Sequence, residues 1–326
     1  MSANSTVPLM IRRLVVASCL FAVVAVGLSA CDPLSAKKPC GSTDFTTPPT
    51  TYDHVVWIWM ENKQYSQVIG NTTDAPYINK LEDKCASGSN YSDADPGGPS
   101  LPNYLTASDG LDHNVTPFTF DCGPPATLPS ASTCQVTGDN VWRQALAAGK
   151  TWKIYAEGMP ANCDTSFQFH RYAVRHNPAP YFTGGTDRDS CNARDVPYAP
   201  NFVNDVDNAS LPDLAMIVPN TCHDMHDSTG CATTNSIKNG DDWLKANLPH
   251  LLNSGTYTAG KTAVFIVWDE DTPVPNVIVA PSVVPGTVYT GPLDHYGLLR
   301  TAEEMLGLSC LNSACTAPSF RAPFNL

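Results

Sequence analysis

Apolar residues along this chain gather in short unbroken runs, separated by polar stretches that carry glycine or proline. The clearest run is Val55-Val56-Trp57-Ile58-Trp59-Met60, which ends abruptly in Glu61-Asn62. Thr151–Ala156, Leu214–Val218, Thr262–Trp268 and Val277–Ala280 repeat the pattern. Runs this short, rich in β-branched and aromatic residues, predict strands covered on both faces. Between them lie segments with helical spacing: Pro76–Ala86, Tyr104–Ser108, Val141–Gly149, Asp241–Leu252 and Tyr296–Leu306. Asp139 and Asn140 are good caps for the third of these, and glycines end the third and the fifth. Strands alternating with helices predict an α/β fold with a mostly parallel sheet in one domain. Residues 161–207 are polar, aromatic and proline-containing, without a clear period. They predict a long excursion, either a substrate-side lid containing Arg171, Arg175 and His176 or a solvated surface loop.

Three predicted strands end in polar clusters: Glu61-Asn62, the turn Asn220 to Asp227, and Asp269-Glu270-Asp271. In open α/β sheets ligands gather beyond the carboxyl ends of the strands, so three such ends point to one crevice. Carboxylates crowded into a small site stay ionised only when a cation neutralises them. The clustering therefore predicts a divalent metal, with magnesium, calcium or manganese better suited than zinc to carboxylate and amide oxygens. The alternative is a set of independent caps and surface charges. A glycine- and proline-rich turn, Gly97-Gly98-Pro99, leads into Ser100 and a helical pattern. A serine at a helix N-terminus sits among free N–H groups suited to an anion, although an ordinary N-cap serine has the same pattern.

Charge and cysteines narrow the setting. The 326 residues carry a formal net charge of -12 with only 19 Lys and Arg, which opposes nucleic-acid binding. Arg12 and Arg13 precede an apolar segment, Leu14 to Leu28, with the form of a secretory signal. Its Leu28-Ser29-Ala30-Cys31 ending resembles a bacterial lipobox, implying lipid modification of Cys31 and an anchor on the outer face of the membrane; ordinary cleavage is the alternative. Residues 1–31 are thus read as the signal, residues 32–52 as a flexible tether, and residues 53–326 as the domain. Of 12 cysteines, Cys19 and Cys31 fall in the signal. The other ten suggest, by proximity, the pairs Cys122–Cys134, Cys163–Cys191, Cys222–Cys231 and Cys310–Cys315, leaving Cys40 and Cys85. Structural disulfides imply an oxidising compartment.

Several of these segments occur together in a known family. Trp59-Met60-Glu61-Asn62, Ala75-Pro76-Tyr77-Ile78-Asn79, Pro99-Ser100-Leu101-Pro102-Asn103-Tyr104, Asp224-Met225-His226-Asp227, Trp268-Asp269-Glu270-Asp271 and His295-Tyr296 to Glu303-Glu304 come in order from residue 53 to the C-terminus. The set resembles the bacterial phosphoesterase family of secreted acid phosphatases and phospholipases C, within the alkaline phosphatase-like superfamily. The resemblance implies a three-layer sandwich around the sheet and Ser100 as a nucleophile that forms a phosphoseryl intermediate. It implies a metal held by Glu61, Asn62, Asp269 and Glu270, and catalytic roles for His226 and His295. Asn103, Asn220 and Asp224 would contact substrate. Two family histidines are replaced: Gly98 stands before Pro99-Ser100, and Thr272-Pro273 precede Val274.

The reading that follows is a metal-dependent phosphomonoesterase, acting as a monomer on a phosphorylated small molecule or lipid. A phospholipase C-type diesterase is the first alternative, with Tyr155, Tyr172, Tyr181 and Phe182 as candidates for a choline-binding cage. A non-catalytic surface lipoprotein on the same fold is the second.

Overall fold

The run Val55–Met60 lies in strand β1, His54–Met60, and six of its seven residues are buried. In a computed structural model that describes Met1, residues 38–126 and residues 134–326, β1 lies inside an eight-stranded sheet. The other strands are β2 (Ala86–Gly88), β3 (Trp152–Ala156), β4 (Asp195–Pro197), β5 (Leu214–Val218), β6 (Thr262–Trp268), β7 (Asn276–Val279) and β8 (Thr287–Tyr289). Their order across the sheet is β8-β2-β7-β6-β1-β5-β3-β4. Every pairing is parallel except the two made by β7. β5 and β6 are buried at every position, as expected for parallel strands with both faces covered. Burying each large apolar side chain stabilises by about 1.5–3 kcal/mol, so this central block holds the molecule together.

Seven helices of at least seven residues occur among the described residues: α1 (Pro76–Lys84), α2 (Ser100–Asp109), α3 (Val141–Ala147), α4 (Asp187–Arg194), α5 (Tyr198–Asp207), α6 (Ser236–Leu252) and α7 (His295–Leu306). α2 is buried along its whole length. It ends at Gly110, whose φ of 71° is left-handed and where a Cβ would lie 2.6 Å from the Leu311 carbonyl oxygen. Glycine meets both conditions.

The long excursion is neither a loose lid nor a solvated loop. It contains β4, α4, α5 and a small hairpin, and Arg175 and His176 are buried. The five disulfides join the pairs that proximity suggested, including Cys40–Cys85. That bond, with Gly41 N–H on the Val283 carbonyl and the buried Tyr52, fastens residues 38–52 to the domain. This part of the expected tether is folded chain. The chain divides into Met1–Asp32 and Pro33–Leu326. The signal and the Cys31 lipobox lie outside the described residues. No helix among the described residues is long and apolar enough to cross a membrane.

Candidate active site

Strand register builds the centre of the site. Met60 of β1 pairs with Trp268 of β6, so Glu61 and Asp269 leave the sheet side by side. Asp269 N–H donates to the Met60 carbonyl at 3.1 Å, and Asn62 N–H donates to Asp269 Oδ1 at 3.0 Å. On the other side of β1 the chain leaving β5 turns back, and Glu61 N–H donates to the Asp224 carbonyl at 2.7 Å. The three strand-end clusters thus share one crevice.

Ser100 is the first residue of α2, and Pro99 occupies the cap position, so the serine side chain is not spent on capping. Its Oγ donates to Glu61 Oε2 at 3.1 Å. The Tyr104 hydroxyl, one turn later, donates to Glu61 Oε1. His176 stacks on Tyr104 with ring centroids 5.7 Å apart, its Nδ1 3.1 Å from Asp224 Oδ2 and its Nε2 3.4 Å from Glu61 Oε1. The Asn62 amide reaches Glu270 Oε1 at 2.8 Å and Glu61 Oε2 at 3.0 Å, its NH2 group donating to both.

Burial governs the electrostatics. Glu61 and Asp224 are pushed well above the usual carboxylate range, first by burial and then by neighbouring carboxylates, Asp269 among them. Burial raises Asp269 to about 6. Burial with Asp269 and Asp271 raises Glu270 to about 9. Burial, with Arg175 and His226 nearby, holds His176 in the neutral form. The Lys63 ammonium donates to the Asn62 and Met225 carbonyls, and burial lowers its pKa against the pull of these acids.

The residues fit a hard divalent cation. Buried Asp269 Oδ2 and Glu270 Oε2 have no hydrogen-bond partner, and neither has His176 Nε2. Glu61, His176 and Asp224 offer ligand atoms within 4.8 Å of one another. Rotated by 180°, the Asn62 amide would add its oxygen to the set.

The remaining expected residues fall elsewhere in the same end of the fold. Asn103 is buried; its Oδ1 accepts the Ala94 and Asp95 amides at 2.9 Å each, and its Nδ2 has no protein partner. Asn220 supports the β5 turn, with Nδ2 3.2 Å from His223 Nδ1 and Oδ1 accepting the Cys222 amide. His226, half-buried, has Nδ1 2.9 Å from Asp227 Oδ1 and Nε2 3.4 Å from Arg175 Nη2. His295 is fully buried with both nitrogens engaged. Nε2 is 2.7 Å from the Asp269 carbonyl oxygen, which can only accept, so Nε2 carries the proton and Nδ1 accepts from the Tyr91 hydroxyl at 2.7 Å. Burial lowers its pKa to about 4, which keeps it neutral.

Both family departures have a local cause. A Cβ on Gly98 would lie 1.8 Å from Asp95 Oδ2, so no larger residue fits while buried Asp95 is in place. Thr272 exchanges hydrogen bonds with Asp93, its hydroxyl on Asp93 Oδ1 at 2.8 Å. Tyr155, Tyr172, Tyr181 and Phe182 are all buried in the core and offer no cage. Sequence reasoning misses Tyr104 as a site residue and places His176 in a segment that reads as either a lid or a solvated loop. The position of Tyr104 one helical turn after Ser100 was the available signal.

An α/β sheet with acidic strand ends converging on a serine at a helix N-terminus is an arrangement suited to phosphoester hydrolysis. Residues 97–273 match the model of the Phosphoesterase family. The phosphatidylinositol-3-phosphatase of Mycobacterium tuberculosis is 30% identical over 277 residues, covering 82% of this chain and 81% of that protein. A "Probable acid phosphatase" of Kluyveromyces lactis is 28% identical over 262 residues, covering 76% of this chain and 56% of that one. Among solved structures, an alkaline phosphatase superfamily protein from Vibrio parahaemolyticus superposes with a TM-score of 0.53 at 14% identity, covering 90% of this chain and 79% of that one. This likeness is one of fold. The chain belongs to the Phosphoesterase family and is a hydrolase of phosphoric esters.

Proposed function

We propose that the protein is an exported, metal-dependent phosphomonoesterase with Ser100 as its nucleophile. The observation that carries this reading is the Ser100 Oγ–Glu61 Oε2 hydrogen bond at 3.1 Å, made at the N-terminus of α2 and beside the Asp269–Glu270 turn. Glu61, Asn62, Asp269 and Glu270 would hold a magnesium, calcium or manganese ion, with Asp224 and His176 alongside. When bound, the cation supplies Lewis-acid charge that lowers the pKa of the attacking hydroxyl and neutralises phosphoryl oxygens.

The chain's own residues do the rest. Ser100 Oγ attacks phosphorus and its proton passes to Glu61 Oε2; the bond to the leaving oxygen breaks as the new one forms. His226, oriented by Asp227, protonates the departing alkoxide. Water then attacks the phosphoserine, with the same groups moving its proton. Asn103 Nδ2 donates to a phosphoryl oxygen. His295 holds the Asp269 backbone and so positions that carboxylate. Tyr104 fixes Glu61.

The core positions of the four candidate cage aromatics speak against a choline diester. The name of the mycobacterial relative, a phosphatidylinositol-3-phosphatase, supports a phosphate monoester, carried on a lipid or on a small molecule. Five disulfides support export, and the Leu28–Cys31 motif supports a lipid anchor. The test is Ser100→Ala on p-nitrophenyl phosphate, with wild type assayed before and after chelation and metal add-back. Turnover should vanish in the variant, and in the wild type it should vanish with chelator and return with the cation. Full activity of the variant overturns the nucleophile, and full activity in chelator overturns the metal.

A further inference from the structure

The N-terminus of α2 already holds an anion belonging to the chain. The amide immediately after the proposed nucleophile, Leu101 N–H, donates to Asp121 Oδ1 at 3.2 Å. The other carboxylate oxygen, Oδ2, lies 3.3 Å from Arg175 Nε. Arg175 is buried, and its Nη2 is 3.4 Å from His226 Nε2. The carboxylate therefore bridges a first-turn amide and a buried guanidinium.

This is an unfavourable place for a fixed negative charge. Glu61, Asp224, Asp269 and Glu270 already crowd the site, where Lys63 and Arg175 each act on Asp224 as cations. First-turn amides and guanidinium groups are the usual partners of phosphoryl oxygens. Asp121 takes one partner of each kind, the Leu101 amide through Oδ1 and Arg175 through Oδ2, and that amide belongs to the residue directly after Ser100.

We propose that Arg175 and the Leu101 amide are the phosphate-positioning pair of this site, and that Asp121 is a resident anion which the substrate phosphate displaces. This rests on the reading of Ser100 as the nucleophile. Asp121 sits on the connection between α2 and the Cys122–Cys134 disulfide, next to the exposed Phe120, so its side chain has solvent to withdraw into. Displacement also shapes specificity. A monoester dianion repays the loss of the Asp121 contacts better than a diester monoanion, which has fewer charged oxygens to offer Arg175.

The test uses inorganic phosphate as a competitive inhibitor of p-nitrophenyl phosphate turnover, with the divalent cation supplied. Asp121→Ala should lower the phosphate inhibition constant by about tenfold, as expected when a charged competitor for charge-assisted bonds is removed. Asp121→Asn preserves shape and should lower it in the same direction, so it carries the test if the alanine variant misfolds. Arg175→Ala should raise the constant, and adding it to Asp121→Asn should cancel the gain. An inhibition constant that is unchanged or raised in Asp121→Asn overturns the proposal and leaves Asp121 as a strut for Arg175. Calorimetry of phosphate binding to Ser100→Ala, with and without Asp121→Asn, reads the same displacement without turnover. A failure of the nucleophile reading therefore shows in the rate of Ser100→Ala, and a failure of this proposal shows in phosphate affinity.

Discussion

Glu61 and Asp269 lie 208 positions apart in the sequence, yet they are adjacent because Met60 and Trp268 are register partners on β1 and β6. Burial, and next the Asp269 charge, raises the cost of ionising Glu61, while burial raises that of Asp269. The pair is stable as charges only with a cation between them or a proton on one.

Glu61→Gln removes that conflict and the ligand together. It also takes away the carboxylate that accepts from Ser100 and Tyr104. The rate on p-nitrophenyl phosphate should fall by at least about a hundredfold, the loss typical of removing an electrostatic or acid–base group. Thermal unfolding of the metal-free variant should occur at or above the wild-type temperature, because a buried charge has gone. A variant that unfolds earlier than metal-free wild type, or that keeps its rate, contradicts the role given to Glu61.

The same physics sets a pH dependence. In the unfolded chain carboxylates titrate near pH 4. In the folded protein Glu270 holds its proton to about 9, and Glu303 and Asp195 to about 8, all mainly through burial. Between pH 6.5 and 9 the native state therefore binds more protons than the unfolded state, and stability falls as pH rises. Thermal melts in chelator should show this fall. Saturating divalent cation should remove the Glu270 part of the slope and leave the part from Glu303 and Asp195. Parallel slopes with and without cation would sink the metal site while leaving the burial argument intact.

Asn103 separates structure from binding. Its Oδ1 accepts two buried amides, and its Nδ2 is free of protein partners. Asn103→Ala strands both amides and should destabilise by about 1–3 kcal/mol or more. Asn103→Asp keeps the acceptor but replaces the donor with a negative oxygen. It should melt much closer to wild type than the alanine variant, yet lose affinity for phosphate. Normal phosphate inhibition in Asn103→Asp removes Asn103 from the substrate contacts.

Legibility followed the length of the buried apolar run. β1, β5 and β6 could be read from the sequence because strands covered on both faces must be apolar throughout. Glu61 and Asp269 were legible because each directly follows such a strand. β2, β4 and β8 were not, since Ala-Ser-Gly, Asp-Val-Pro and Thr-Val-Tyr are three-residue pieces with no pattern of their own. The aperiodic segment around His176 reads as either lid or surface loop; its stacking on Tyr104 and its contacts with Asp224 and Glu61 are tertiary and leave no trace in local spacing. The Asp121–Arg175 contact is of the same kind.

His226 and His295 make the final test, because the two are assigned different work. A general acid matters most when the leaving group is poor, since a good one departs without a proton. His226→Ala should therefore slow an alkyl phosphate far more than p-nitrophenyl phosphate. His295 touches the Asp269 carbonyl and the Tyr91 hydroxyl, both buried. His295→Phe leaves them unpartnered, costing about 1–3 kcal/mol for each in stability, and it loosens the turn that presents Asp269. Its rate loss should be equal for the two substrates, and its melting temperature should drop. Kinetics on both esters, with a melt for each variant, decide the assignment: an alkyl-selective loss in His295→Phe would make that histidine the acid, and an equal loss in His226→Ala would take the role away from His226.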